Sequence, residues 1–181
     1  MERVESWTPI DVDGMLEYLC ELVSIPSFGG KETDAQRSEA AKLSVYEKLE
    51  FKGTPELYRR YGFGEDKIFD CLLAENTGDV GPPYLGVALY YYTFSTFESK
   101  PTLWLEDIYV PEEYRGNSIG TMLLKRLCQI AVEKDCGRVE WTVIDWNEPS
   151  RQFYFSLGAK AMEEWTTFRM TPEVFKKLAE S

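Results

Sequence analysis

The sequence predicts an α/β fold, arranged as one domain over residues 1–181, on three observations. The chain has 181 residues, 44% of them hydrophobic and 14% aromatic, which suits a single packed core and not a disordered chain. Segments of strand-like alternation and segments of helical periodicity follow one another through the middle and the end of the sequence. No internal repeat, low-complexity tract or inter-domain linker interrupts them.

The first third of the chain is interpreted from apolar spacing and helix breakers. Apolar residues in 15–23 recur at three- and four-residue intervals behind a capping aspartate, and Pro26 ends this predicted helix. The other predictions here are a short strand at 3–8, a polar loop at 27–37, a helix at 40–49 and a short helix at 56–61 opened by Pro55.

In the rest of the chain, β-branched and aromatic runs bounded by glycine and proline predict strands. They lie at 68–75, 84–94, 103–110, 138–144 and 165–170. Three helices are predicted from apolar periodicity, proline in a first turn and glycine after a last turn. They run from Ile119 to near Lys134, from Asn147 through Tyr154 with Gly158 as the stop, and from Pro172 to Glu180.

The balance of 20 basic against 31 acidic residues gives a net charge of −11. Nucleic acids and anionic membranes bind clustered positive charge, so both are disfavoured as partners. A cationic small molecule fits this charge, and solubility alone is the open alternative. The N-terminus lacks the apolar stretch of a secretory signal, and no apolar run reaches the ~20 residues of a membrane helix.

Histidine is absent, and the four cysteines have no CxxC spacing. These facts exclude histidine-based triads and argue against a metal site. Cys20, Cys71 and Cys128 lie in apolar runs, which predicts reduced core thiols in a cytoplasmic protein. A general acid or base must then be Asp, Glu, Tyr, Cys or Lys.

Residues 103–120 join a predicted strand to a predicted helix through a basic, glycine-bearing turn. Pro111 ends the strand, and the turn at 115–120 opens the helix. Free backbone N–H groups and the positive end of the helix dipole converge at such a turn, which predicts an anion site. An ordinary strand–helix connection is the alternative.

The R-G-N-S-I-G spelling of this turn resembles motif A of the GCN5-related N-acetyltransferases. Further segments resemble the spermidine/spermine and thialysine acetyltransferase branch of that family, and the ordered set covers about residues 43–170. These segments are Y-G-F-G-E-D at 61–66, C-L-L-A-E at 71–75, L-E-D-I-Y-V at 105–110, D-W-N-E-P-S at 145–150, Q-F-Y at 152–154 and L-G-A at 157–159.

The resemblance implies a mixed central sheet that splays between two strands, with helices on both faces and an insertion near residues 27–41. It implies acetyl-CoA in the splay, a homodimer, and direct transfer in a ternary complex. The acceptor would be a primary amine of a polyamine, a diamine or a thialysine-like amino acid. Two alternatives stay open: a protein lysine or N-terminal acetyltransferase, and a non-catalytic CoA-binding module.

The resemblance also assigns cofactor contacts. The pantetheine arm would pair with the backbone of 108–110 like an added strand, and the pyrophosphate would take N–H groups of 115–121. The residues concerned are Ile108, Tyr109, Val110, Arg115, Gly116, Asn117, Ser118, Ile119, Gly120, Thr121, Asn147, Ser150 and Tyr154. Ser118 replaces a motif glycine, so a positive φ there would weaken binding.

For catalysis, the resemblance makes Tyr154 the acid that protonates the leaving thiolate, because a phenol is protonated at pH 7. Asn147, two helical turns earlier on the same face, would bind pantetheine or cap the helix. Glu106 would bind the amine and assist its deprotonation, with Asp107 as support. Because neighbours on a strand face opposite sides, only one should point into a given cleft. A core tyrosine and a structural carboxylate are the alternatives.

Substrate selectivity rests on further positions that resemble acceptor-binding residues of the family. With Glu106 and Asp107, these are Tyr46, Glu47, Glu164 and Trp165. Ser95 falls near a position where the polyamine enzymes carry aspartate. One fewer carboxylate makes a short diamine or an ω-amino acid as good a candidate as a long polyamine.

Overall fold

The computed structural model describes residues 54–78 and 80–181. The chain forms two compact units, one ending at Trp141 and the other covering Thr142–Ser181. The elements predicted at 3–8, 15–23 and 40–49, and the insertion near 27–41, lie outside the described residues. The single-domain organisation stays a prediction.

The first unit carries a mixed sheet of four strands in the order β1-β2-β3-β4. The strands are β1 (Asp70–Glu75), β2 (Tyr84–Ser95), β3 (Lys100–Tyr109) and β4 (Arg138–Glu140). Neighbours β1, β2 and β3 pair antiparallel, whereas β3 and β4 pair parallel. The helix between β3 and β4 provides the long crossover that a parallel pair requires. These pairings confirm the α/β class and the mixed sheet.

The parallel pairing of β3 with β4 is short. Only residues 102–104 of β3 pair with β4, although β3 continues to Tyr109 against β2. Within the described ranges, no strand pairs with the β4 side of β3 beyond Trp104. The strand predicted at 138–144 therefore has three residues, and within the described ranges the sheet is open on this side of β3 beyond Trp104.

In the described residues of the first unit, helices α1 (Pro55–Phe63) and α2 (Ile119–Glu133) and a short 3₁₀ turn at Glu112–Tyr114 accompany the sheet. The hydroxyl of Thr54 accepts the N–H of Leu57 at 3.4 Å, which caps α1 ahead of its first-turn proline. The apolar face of α2 packs on the sheet, and Leu127 and Leu103 are fully buried. Truncating either to alanine would cost roughly 2–5 kcal/mol.

The second unit contains α3 (Glu148–Ser156) and α4 (Pro172–Ala179). As predicted, α3 stops at a glycine: Gly158 has φ of 88°, and the N–H of Ala159 reaches back to the Tyr154 carbonyl at 3.1 Å. This closure satisfies a terminal carbonyl and needs a residue that tolerates the left-handed region.

The strand predicted at 165–170 is wrong. This segment is irregular, and Trp165 and Phe168 are 73% and 92% exposed. Strand preference reflects packing on a half-buried pleated surface and not an intrinsic backbone preference. In the described part of the chain no strand pairs with this segment, so its β-formers have no such surface.

Among the thiols, Cys71 is buried in β1 as predicted, whereas Cys128 is exposed on α2. Cys128 is one position after the buried Leu127, about 100° around the helix, so it falls on the solvent side. Cys20 lies outside the described residues. None of the helices in the described part of the chain has the length and apolarity needed to span a bilayer.

Candidate active site

The glycine-bearing turn lies where predicted, between the end of β3 and the start of α2. Residues 115–118 are exposed to solvent. The first intrahelical bond of α2 runs from the Met122 N–H to the Ser118 carbonyl at 2.9 Å, and the side chain of the N-cap residue Ser118 makes no capping hydrogen bond. The N–H groups of Ile119, Gly120 and Thr121 therefore precede the intrahelical ladder, at the positive end of the helix dipole.

Ser118 adopts the left-handed conformation, with φ of 64° and ψ of 8°. This is the positive φ under which serine was expected to be unfavourable. A non-glycine residue in this region carries a penalty of about 1–2 kcal/mol, because its Cβ approaches the following carbonyl oxygen. Gly116 also has a positive φ, 80°, which glycine accepts freely.

The side chain of Arg115 ties the turn to the end of β3. Its Nε donates to the Val110 carbonyl at 2.9 Å, and its backbone N–H donates to the Glu112 carbonyl at 3.1 Å. That N–H is already bonded within the 3₁₀ turn, so the candidate anion donors are the N–H groups from 116 onward. The terminal guanidinium nitrogens supply positive charge at the exposed side of the turn.

Gly86 of β2 was not predicted as a site residue, yet it sets the position of the turn. A side chain there would collide with the Tyr109 carbonyl, with Val110 and with Ile119, the first residue of α2. Glycine thus lets β2 approach the end of β3 and the start of α2 closely. A glycine inside a strand is the sequence signal for such an approach.

A β-bulge lies at the two predicted carboxylates. Leu89 of β2 pairs with Asp107 and Tyr90 pairs with Leu105, so Glu106 has no partner in the register. Regular alternation would place Asp107 on the face of the buried Leu105. The extra residue shifts the alternation, and both carboxylates are exposed. The expectation that the two side chains must face opposite sides is therefore wrong, because it assumed a regular strand.

Two aromatic donors hold one oxygen of Glu106. The indole Nε1 of Trp104 donates to Oε2 at 3.1 Å, and the Tyr91 hydroxyl donates to the same oxygen at 3.4 Å. Burial raises the pKa of Tyr91, and the charge of Glu106 and the hydrogen bond to it raise it further. In the described ranges no lysine or arginine forms an ion pair with Glu106. Both donors were missed, although Trp104 stands two positions before Glu106 on one strand face.

The predicted residues Asn147, Ser150 and Tyr154 belong to the second unit: Asn147 is the N-cap of α3, and Ser150 and Tyr154 lie within it. The Asn147 side chain accepts the Ser150 N–H at 3.3 Å, so it caps the helix as the alternative interpretation expected. Tyr154 is half-buried, and its ring contacts Phe153 with centroids 5.3 Å apart.

Four further residues were predicted to bind the amine substrate. Glu164 and Trp165 are exposed in the irregular segment before α4. Tyr46 and Glu47 lie outside the described residues. Over 54–78 and 80–181, no three histidine, cysteine or carboxylate side chains form a cluster able to hold a metal ion.

Comparison with known protein families assigns the chain to a class of group-transfer enzymes. The model of the Acetyltransferase (GNAT) family matches residues 38–159, about two thirds of the chain. The protein therefore belongs to the GNAT acetyltransferase family and is an enzyme of the acyltransferase class.

Curated relatives narrow the likeness within the family. The chain is 37% identical over 147 residues to the thialysine N-epsilon-acetyltransferase of Bos taurus, covering 76% of this chain and 86% of that protein. It is 38% identical over 126 residues to the human spermidine/spermine N(1)-acetyltransferase-like protein 1, covering 66% of this chain and 18% of that protein.

A solved structure has the same fold. An integron cassette protein from the mobile metagenome of V. cholerae aligns with a TM-score of 0.64 at 23% identity, over 94% of this chain and 91% of that chain. At this identity the likeness supports the fold alone.

Proposed function

We propose that this enzyme transfers the acetyl group of acetyl-CoA to a primary amine of a small cationic molecule, directly and in a ternary complex. One observation carries the proposal: an exposed helix N-terminus, whose N-cap residue Ser118 makes no capping hydrogen bond, follows a strand that presents two carboxylates. The first feature suits a diphosphate, and the second suits an ammonium group.

The residues of the turn fit the diphosphate of coenzyme A. N–H groups from Gly116 to Thr121 would bind the phosphate oxygens, and Arg115 would add charge. The open side of β3 would let the pantetheine amides pair with the backbone of residues 108–110. Asn147 and Ser150 would contribute from α3, as the family resemblance implies.

Acetyl-CoA supplies the acetyl group as an activated thioester. The acceptor arrives as an ammonium ion, and Glu106 would take one proton from it, directly or through water, so that the nitrogen can attack. Tyr154 would provide the proton that the leaving sulfur receives. Asp107 would support binding of the cation, and the exposed Glu164 and Trp165 would contact its far end.

A short acceptor is favoured over a long polyamine. Ser95, near the position where polyamine enzymes carry aspartate, is buried, and its hydroxyl accepts the Glu98 N–H at 3.2 Å. It therefore caps a turn and does not supply a carboxylate for a further ammonium group. A thialysine-like ω-amino acid or a diamine is the expected acceptor class, in line with the bovine relative.

A thiol-release assay tests the proposal, with thialysine, ornithine, lysine, putrescine, spermidine and a histone-tail peptide as acceptors. We expect the highest kcat/KM for a short amine. Arg115→Ala should weaken acetyl-CoA binding about 10- to 100-fold, the equivalent of one charge-assisted hydrogen bond. Glu106→Gln should lower kcat/KM for the amine and leave the Kd for acetyl-CoA unchanged.

Other outcomes would contradict the proposal in different ways. Preference for the peptide would indicate a protein acetyltransferase. Acetyl-CoA binding by calorimetry without thiol release from any amine would indicate a non-catalytic module. The homodimer implied by the family resemblance is part of the proposal, and light scattering of the purified protein tests it.

A further inference from the structure

Glu106 sits where the backbone ladder does not fix its direction. It is the extra residue of the bulge, without an opposite residue on β2. Bulges redirect side chains and loosen the local ladder, so the orientation of this carboxylate depends on side-chain contacts. A carboxylate that must meet an amine at a defined angle gains from being held before the substrate arrives.

The contacts come from an aromatic pair. Tyr91 and Trp104 are directly paired across β2 and β3, with ring centroids 6.4 Å apart and planes tilted by 36°. Both donate to the same oxygen, Oε2, at 3.4 Å and 3.1 Å. An indole N–H can only donate, so this contact requires an acceptor oxygen to face it.

We propose that Trp104 and Tyr91 are positioning residues, which hold the Glu106 carboxylate by Oε2 and leave Oε1 to accept a hydrogen bond from the substrate ammonium. This inference rests on the proposed function, since it needs Glu106 to act on an amine. The inference adds two residues to the candidate site and gives the two carboxylate oxygens of Glu106 different partners.

The test compares Trp104→Phe and Tyr91→Phe, which keep a ring and remove one donor each. We expect kcat/KM for the amine to fall roughly 10- to 100-fold, because a misplaced catalytic group costs this much. The KM for acetyl-CoA should not change. Tyr92→Phe is the matched control, since Tyr92 is the next residue on β2, points to the other side and should leave activity unchanged.

A double-mutant cycle with Glu106→Ala separates positioning from packing. If the donors act through the carboxylate, Trp104→Phe has no further effect on kcat/KM once Glu106 is alanine. An equal loss in both backgrounds would mean that Trp104 acts by packing, and it would overturn the proposal. Circular dichroism of each variant confirms folding, and Tyr91→Phe serves if Trp104→Phe fails to fold.

A second readout does not depend on activity. The Glu106 carboxylate raises the pKa of Tyr91, so Glu106→Ala should lower that pKa. Nuclear magnetic resonance of tyrosine labelled at Cζ, assigned with Tyr91→Phe, follows the titration. An unchanged Tyr91 pKa would overturn the inference and leave the proposed function standing. A wild-type enzyme inactive with every amine would overturn the proposed function, and with it the inference, even where the pKa falls.

Discussion

The α-carbon of Gly86 lies so close to the end of β3 that an added Cβ would come within 2.9 Å of the Tyr109 carbonyl oxygen. Two further contacts, to Val110 and to Ile119, would each be 3.2 Å. This one position thus controls the spacing between β2, the end of β3 and the first turn of α2.

Gly86→Ala should therefore disturb both stability and cofactor binding. Overpacking of this kind costs typically about 1–3 kcal/mol, and the displaced turn should bind acetyl-CoA more weakly. Urea unfolding and calorimetric titration measure the two effects. Gly137→Ala is the control, since its Cβ would also come within 2.9 Å of a neighbour, the exposed Glu98, away from the turn. An unchanged acetyl-CoA affinity in Gly86→Ala would show that the turn does not depend on this approach.

The left-handed Ser118 gives a second prediction. Ser118→Gly should raise the free energy of unfolding by about 1 kcal/mol, because it removes the Cβ penalty but adds entropy to the unfolded chain. We expect this cost to belong to folding, because Ser118 is the N-cap of α2 and its carbonyl accepts the first intrahelical bond in this conformation. The Kd for acetyl-CoA should therefore change less than about threefold, within 0.7 kcal/mol.

Ser99 is the matched control for this substitution, with φ of 53° in the turn between β2 and β3. Ser99→Gly should also stabilise the fold and leave acetyl-CoA binding unchanged. Tightening of the Kd by tenfold in Ser118→Gly alone would mean that the strain arises on binding, as the serine-for-glycine replacement first suggested.

Tyr154→Phe tests the assigned acid. The change removes one hydroxyl and keeps the ring that contacts Phe153. Loss of a general acid lowers kcat by about 100-fold or more, and the KM for acetyl-CoA should stay the same. The control is Phe155→Leu, an exposed neighbour on the same helix. Unchanged turnover in Tyr154→Phe would remove the acid assignment and leave the family membership intact.

Alkaline pH should destabilise the fold through the buried thiol of β1. Burial, and after it the charge of Asp70, raises the pKa of Cys71 from 9.0 to about 12. The folded protein keeps this proton where the unfolded chain loses it, so the contribution is complete below pH 9 and is lost as pH rises toward 12. The slope is about 1.4 kcal/mol per pH unit for one group.

Urea unfolding between pH 8 and pH 11 measures this slope. Tyr90, whose pKa is also raised by burial, adds in the same direction. Cys71→Ala should lower stability at pH 8, where the thiol is protonated in both states, and make the alkaline decline shallower. An identical decline in Cys71→Ala would assign the pH dependence to other groups.

The turn and helix α2 were predictable because their signals are local. Pro111 stops a strand, glycines permit the turn, and apolar spacing from Ile119 marks a helix face. The bulge at Glu106 was not predictable, because register is a relation between two strands and not a property of either one. The pairing of Tyr91 with Trp104 depends on the same register. Residues 165–170 failed as a strand because no strand of the described ranges pairs with them.

The candidate site divides in the same way. Motif resemblance singled out the glycine-bearing turn, Glu106 and Tyr154, whose roles stay predictions. It also misjudged the relation of Glu106 to Asp107, since alternation was assumed through a position where the strand carries an extra residue. A glycine inside β2 and an indole two residues before a carboxylate were visible in the sequence, but their meaning came from what they touch.

Because the bulge inserts one residue, the side chains of β3 alternate in one pattern before Glu106 and in a pattern offset by one residue after it. Before the bulge, Leu103 and Leu105 are buried in the hydrophobic core. After the bulge, the alternation is offset by one residue. The segment that carries the candidate site therefore need not continue the pattern of buried residues that the first half of β3 contributes to the core. Deleting Glu106 would remove the bulge and make Leu105 and Asp107 regular neighbours opposite Tyr90 and Leu89, so the buried residues would keep their register and only the carboxylate held by Trp104 and Tyr91 would be lost.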